Sequence, residues 1–230
     1  MIEEPPLLRI RAQRPRPTAE QIQALSGVPT GFLTDAMEGR GALNPAIRAL
    51  SPGILPSQMC GPALTCLCGP ADLLAVQGGL VELQPGDVMI AATGGWRDCA
   101  VVGDRVVGML KNCGARGFVT DGLVRDVAGI NPVGLPVFCS GVSPNSPFTK
   151  GPGEIGFEVI VGGVSISSGD MIVADDDGVV VVPFHRIDQV IESVRHITEL
   201  EKALDAKVAE GLKVPEAIIE LMQSDKVERV

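Results

Sequence analysis

The chain has 230 residues, 45% of them hydrophobic and only 3% aromatic, with 28 Gly, 18 Pro, no Tyr and a formal charge of −9. That size and apolar content support one buried core, while the acidic balance gives no electrostatic reason to bind nucleic acid or an anionic membrane. The first residues lack the apolar stretch of a secretory signal and no run of 18 apolar residues exists to span a bilayer, so a cytoplasmic protein is expected.

Abundant Val, Ile, Leu, Ala and Gly suit buried strands and tight turns, which points to an α/β fold. The six cysteines (Cys60, Cys66, Cys68, Cys99, Cys113, Cys139) form no CxxC pair and mostly sit in apolar surroundings. They read as reduced interior thiols, and with only two His no zinc centre is expected.

Residues 1–17 are rich in Pro and Arg and read as an N-terminal arm, either disordered or laid against another subunit. A single domain is expected over residues 18–211, with residues 212–230 as a C-terminal extension. Thr18 is a candidate cap for a first short helix, and Pro29-Thr30 precede a second one ending near Met37. "GPALTCLCG" then alternates as a strand, "DLLAVQGGLVEL" reads as a helix, and "GDVMIAATGG" as a strand running into a glycine turn.

The next stretch reads as a βαβ unit. Asp87 to Ala92 forms the first strand, Asp104 caps a helix from Arg105 to Cys113, Gly114 closes it, and Gly117 to Thr120 forms the second strand. Parallel strands joined this way place the helix start and the end of the second strand on one edge of the sheet. Asp104 is thereby predicted to meet Arg125 and Asp126, from which twenty residues separate it. Ligands favour that carboxyl edge, and the free N–H groups at a helix start attract anions.

Downstream, "PVFCSGV" is a short strand. "FEVIVGGVSISSGDMIVADDDGVVVVP" shows three apolar runs separated by glycine and aspartate turns and reads as an antiparallel meander. From Ile187 to about Glu210, apolar residues recur at helical spacing, and Gly211 ends the helix.

The chemistry of the predicted cluster follows from its residue types. Arg125 can grip a carboxylate or polarise a keto oxygen, and the glycines of "TGGWRDCAVVG" let backbone approach a ligand closely. Asp126 can bind a hard divalent cation, since one carboxylate plus waters and substrate oxygens is the usual way Mg²⁺ is held. Asp104 would orient a water of that shell. Taken singly, Asp104 reads as a helix cap and Arg125-Asp126 as a solvated pair. Asp121 and the run Asp175-Asp176-Asp177 read as turn residues, and His185 and His196 as ordinary surface histidines. No dinucleotide or nucleotide-phosphate loop is present.

The spacing of Asp104 to Arg125-Asp126 inside "GD…GARGFVTDGLVRD" resembles the signature of the class II pyruvate aldolases related to 4-hydroxy-4-methyl-2-oxoglutarate aldolase and the RraA-like proteins. "GFLTDAM", "GPALTC", "PGDVMIAATGG" and "GGVSISSGDMIVADDDGVVVVP" resemble family segments in the expected order, over roughly residues 25 to 211. The resemblance implies an α/β/β/α sandwich of the swivelling, phosphohistidine-domain-like type with a long C-terminal helix. It further implies a homotrimer or homohexamer with sites between subunits. Arg125 and the amides of Gly103, Asp104, Arg105 and Val106 would hold the keto acid end of an oxo acid substrate, and Asp126 would hold Mg²⁺ or Mn²⁺. Glu199 or Glu201 from a neighbouring subunit would join the water shell of the ion. Asp104 and Arg125 then serve a retro-aldol cleavage that releases pyruvate. The alternative is a non-enzymatic regulator that binds a ribonuclease; that branch lacks the acidic partner of the arginine, which is kept here as Asp126. A Schiff-base aldolase needs a buried lysine, and none of the six lysines is well placed for it.

Overall fold

The computed structural model of the chain describes residues 6–229. The arm contributes β1 (Leu8–Ile10), followed by α1 (Ala19–Leu25) and α2 (Thr30–Ala36). Thr18 starts α1 in a reciprocal capping box: its hydroxyl accepts from the Gln21 N–H at 3.2 Å, and Gln21 Oε1 accepts from the Thr18 N–H at 2.9 Å. The start of α2 is held from far along the chain, because both the N–H and the hydroxyl of Thr30 donate to the Asp175 carboxylate.

Next come β2 (Arg48–Ala49), β3 (Met59–Leu67), α3 (Leu74–Glu82), β4 (Val88–Ala92), β5 (Ala100–Val102), α4 (Asp104–Asn112), β6 (Gly117–Thr120), β7 (Leu123–Val124), α5 (Val127–Ile130) and β8 (Val137–Cys139). The last third holds β9 (Gly153–Ile155), β10 (Val159–Val161), β11 (Val164–Ile166), β12 (Met171–Asp175), β13 (Gly178–Val182), α6 (Ile187–Ala209) and α7 (Glu216–Gln223).

The main sheet runs β1-β9-β3-β4-β6-β8-β2, with β3, β4, β6 and β8 parallel to one another. Strand β3 is long enough to serve two sheets. Its second half, from Ala63 to Leu67, pairs with β4, while Met59 to Pro62 pair antiparallel with β12, which continues to β13.

Side-chain alternation along the strands separates the layers. Met89 and Ala91 of β4 face Val107 and Leu110 of α4 and Val76 of α3. Val88, Ile90 and Ala92 face the opposite way and pack on Ile172, Ala174, Val179 and Val181 of the β12–β13 hairpin. The outer face of that hairpin, Met171, Val173, Val180 and Val182, covers Leu25, Leu33, Met37, Ile187, Val190 and Val194 from α1, α2 and α6. Three apolar interfaces thus bind four layers in the order helix, sheet, sheet, helix, the sandwich that the resemblance implies.

Two expectations change. Residues 157–183 do not form one meander: β10 pairs with β11 and β12 with β13 as separate hairpins, and the second neighbour of β12 is β3. Tertiary pairing with the long β3 wins over local sequence order. The arm, in turn, lies along its own chain, where β1 adds parallel to β9 and Arg14 and Arg16 both reach the buried Asp87. Its first five residues, and Val230, are outside the described part. Helix α6 runs close to the expected length, but only its first half is buried; Leu200, Leu204 and Val208 are exposed, as is the apolar side of α7. No helix among the described residues is long and apolar enough to cross a membrane.

Candidate active site

A two-strand parallel ladder that sequence reasoning missed brings the cluster together. Strand β5 pairs with β7, and the Arg125 N–H donates to the Val102 carbonyl at 3.0 Å. Parallel strands leave a ladder at the same end, so Gly103-Asp104 after β5 and Arg125-Asp126 after β7 emerge side by side. With only three and two residues, "AVV" and "LV" carry no periodicity that could have announced them.

Gly103, rather than Asp104, is the N-cap of α4, and Asp104 is the first helical residue. The glycine is required by crowding: a Cβ there would lie 2.5 Å from Asp126 Oδ2 and 3.1 Å from Arg125 Nε. Asp104 Oδ1 accepts the Arg105 N–H at 2.7 Å, so one of the amides expected to face substrate is already engaged. The Asp104 carboxylate packs over Gly129 of α5, where a Cβ would collide with it. Gly103 and Gly129 thereby allow the starts of α4 and α5 to interlock, with a carboxylate from each.

Arg125 Nε lies 3.3 Å from Asp126 Oδ2, and Nη1 donates to the Ser146 hydroxyl. The ion-pair distance is met, but no hydrogen bond forms: buried Nε has no hydrogen-bond partner among the described residues. A buried unpaired donor beside a carboxylate is a costly arrangement that a bound ligand can relieve. The side chains of Arg125 and Asp126 are 34% and 44% exposed, which leaves the rim open to solvent. Asp126 is held in the left-handed region, φ 59° and ψ 42°, an uncommon conformation for a residue with a side chain.

The rim fits a divalent ion of one kind only. No group of three or more His, Cys, Asp or Glu among the described residues can enclose a metal. Among the described residues only Asp126 Oδ2 is in an ion pair, with Arg125, so Asp126 could hold Mg²⁺ or Mn²⁺ by one carboxylate oxygen, with water and substrate oxygens completing the shell.

Asp121 does more than the turn expected of it. Its Oδ1 accepts from the N–H and hydroxyl of Thr93, and its Oδ2 from the Gly95 N–H at 2.9 Å. The glycine turn after β4 is thus pinned to the end of β6, and the Gly95 amide is not free for a ligand. Arg97 from the same turn donates to the Ser140 carbonyl at 3.2 Å.

Other candidates stay apart from this rim within one chain. Glu199 and Glu201 lie on α6, which packs against α1 and α2 in the opposite outer layer. His185 lines a different cavity with Asp170 and Ser167, and His196 lies on α6. All six lysines are exposed within the single chain.

A four-layer α/β sandwich with an arginine and two carboxylates at the carboxyl edge of its parallel strands defines the class. Residues 30–181 match the RraA-like family (Aldolase/RraA), more than half of the chain, and the protein belongs to that family. It is 34% identical, over 197 residues covering 85% of this chain and 91% of the other, to a Halalkalibacterium halodurans protein provisionally named 4-hydroxy-4-methyl-2-oxoglutarate aldolase. Streptomyces coelicolor RraAS2, described as an unusual member of the RNase ES inhibitor RraA family, superposes with a TM-score of 0.73 at 29% identity, covering 84% of this chain and 100% of that one. An uncharacterized Pseudomonas syringae protein shares the fold, with a TM-score of 0.74 at 23% identity over 87% and 97% of the two chains.

Proposed function

We propose that the protein is a divalent-metal-dependent aldolase that cleaves a 4-hydroxy-2-oxo acid with two or three carboxylates, either 4-hydroxy-4-methyl-2-oxoglutarate or 4-carboxy-4-hydroxy-2-oxoadipate, and releases pyruvate. The observation that carries this reading is the convergence of Asp104, Arg125 and Asp126 at one open rim, with Arg125 Nε beside the Asp126 carboxylate but in no hydrogen bond. The aldolase name of the Halalkalibacterium relative supports it.

In the cleavage the C4 hydroxyl loses its proton, the C3–C4 bond breaks, and its electron pair passes to C3 as the enolate of pyruvate, which then takes up a proton. The difficult species is that enolate, so catalysis requires positive charge where its oxygen develops. Arg125 supplies a fixed guanidinium there and grips the keto acid end. Asp126 would hold Mg²⁺ or Mn²⁺, which supplies further positive charge when bound. The free oxygen of Asp104 orients water for the proton transfers. Losing CO₂ from oxaloacetate gives the same enolate, so decarboxylation is the expected side activity. The rest of the pocket comes from a second copy in a homotrimer or homohexamer, with Glu199 or Glu201 facing the ion's water shell.

Pyruvate release, coupled to lactate dehydrogenase across both acids with Mg²⁺ or Mn²⁺, tests the reading. Activity should vanish in excess EDTA and fall at least a hundredfold in Asp126→Asn; full activity in either case rejects it. The likeness to RraAS2 favours a second reading, a regulator binding a ribonuclease. Inactivity on every such acid together with a stable complex with a purified ribonuclease would select it.

A further inference from the structure

A cavity of about 700 Å³ opens at the amino ends of β6 and β8, the edge opposite the Gly103–Asp126 rim. Ile22, Val28, Met59, Leu135 and Pro136 give it apolar walls, and Lys111 and Arg116 stand among them. On a chain of net charge −9 these two cations have no carboxylate partner among the described residues. Lys111 Nζ donates only to the Val133 carbonyl, and Arg116 is in no ion pair among the described residues. The one acidic lining residue, Asp175, is engaged on both oxygens, by the N–H and hydroxyl of Thr30 and by the Asp177 N–H. Arg116 is exposed and lines the cavity. Burial pushes the Cys60 thiol on the cavity wall up, while a hydrogen bond with Ser26 and the charge of Arg116 act against it.

Apolar walls with cations and no free anion define a recognisable guest. An inorganic anion would leave the apolar surface wet, and a wholly apolar guest would crowd two charges without answering them. We propose that this cavity is a second ligand site, for a compact organic anion with an apolar body, such as an aromatic or short-chain monocarboxylate. Arg116 binds the carboxylate and Ile22, Met59 and Pro136 cover the body. The guest touches the far ends of the two elements that shape the rim: α4 carries Asp104 at one end and Lys111 near the other, and β6 is flanked by Arg116 before it and Asp121 after it.

Calorimetric titration of the full chain with benzoate tests this, and it does not depend on aldolase activity. One site per chain is expected, with a dissociation constant on the order of 1 mM for so small a ligand. Arg116→Glu should weaken binding at least tenfold, neutral benzamide should bind at least tenfold less tightly, and Arg125→Ala should leave benzoate binding unchanged. Should Arg116→Glu alter the melting curve, Ser26→Trp, which places an indole on the cavity wall, replaces it with the same expectation. No binding at roughly ten times that concentration, equal binding of benzamide, or loss of binding in Arg125→Ala with Arg116→Glu intact each overturns the proposal.

Discussion

Residue 103 and Asp126 share one contact: a side chain at position 103 would begin 2.5 Å from Asp126 Oδ2. The backbone at Gly103, φ −129° and ψ −170°, is extended and open to any residue, so an added methyl acts by collision and not by backbone strain. Gly103→Ala should therefore push Arg125 and Asp126 out of place, at a cost of about 1–3 kcal/mol in stability. Pyruvate release should fall by at least about a hundredfold, as misplacement by an ångström does. A folded Gly103→Ala protein with the wild-type rate would show that this contact does not set the geometry.

The left-handed backbone at Asp126 separates its charge from its conformation. Asn tolerates that region nearly as well as Asp, so Asp126→Asn should melt close to the wild type, whereas Asp126→Gly relieves strain and should be more stable by up to about 1 kcal/mol. Added Mg²⁺ should raise the melting temperature of the wild type by linkage and that of neither variant. Equal Mg²⁺ stabilisation of all three would place the ion elsewhere.

Much of this architecture was legible in the residues. The Asp87–Thr120 stretch carried its own strand and glycine signals, and the parallel pairing of β4 with β6 follows from them, although the helix cap falls on Gly103 and not on Asp104. What escaped was set by contacts distant in sequence. The β5–β7 ladder is too short to show a period, yet it places Arg125 beside Gly103. Asp121 looked like turn chemistry because its three donors, on Thr93 and Gly95, lie a strand away. The pairing of β12 with β3 cannot be read locally, since β3 offers one continuous buried run and only the fold divides it between two sheets.

Buried thiols give stability an alkaline dependence. Burial pushes Cys68 up to about 12 from an ordinary 9.0, and Cys60, Cys66, Cys99 and Cys139 are raised as well. Below pH 9 folded and unfolded chains both keep these protons, and the thiols add no pH dependence. Between pH 9 and 12 the unfolded chain releases protons that the native chain retains, so the native state binds more of them and stability falls as pH rises. The melting temperature should decline through this window, and Cys68→Ala should flatten the decline, since its packing cost is the same at every pH. An unchanged slope in that variant would remove Cys68 from the account.

The arm is fastened by a charge that is fully buried. Asp87 accepts from Arg14 Nη2 and Arg16 Nη1, both at 2.6 Å, and from the Gln84 N–H at 2.8 Å; Arg14 is 7% exposed and Arg16 34%. Glycines receive the chain beside it: the Arg11 carbonyl lies against Gly156 and the Pro15 carbonyl against Gly169, both at positive φ where a side chain would be strained as well as crowded. Arg14 also donates to the carbonyls of Ala63 and Glu82; the Ala63 carbonyl keeps the Gly169 N–H, so Arg14→Ala takes a donor from the Glu82 carbonyl along with half the compensation of a buried carboxylate. That loss should cost about 3–5 kcal/mol, as breaking a buried ion pair does. Arg16 shares its charge with solvent, and Arg16→Ala should cost about 1 kcal/mol or less. Urea unfolding of the two variants should reproduce that order, and equal, small losses would mean that the arm is held by the β1–β9 pairing instead.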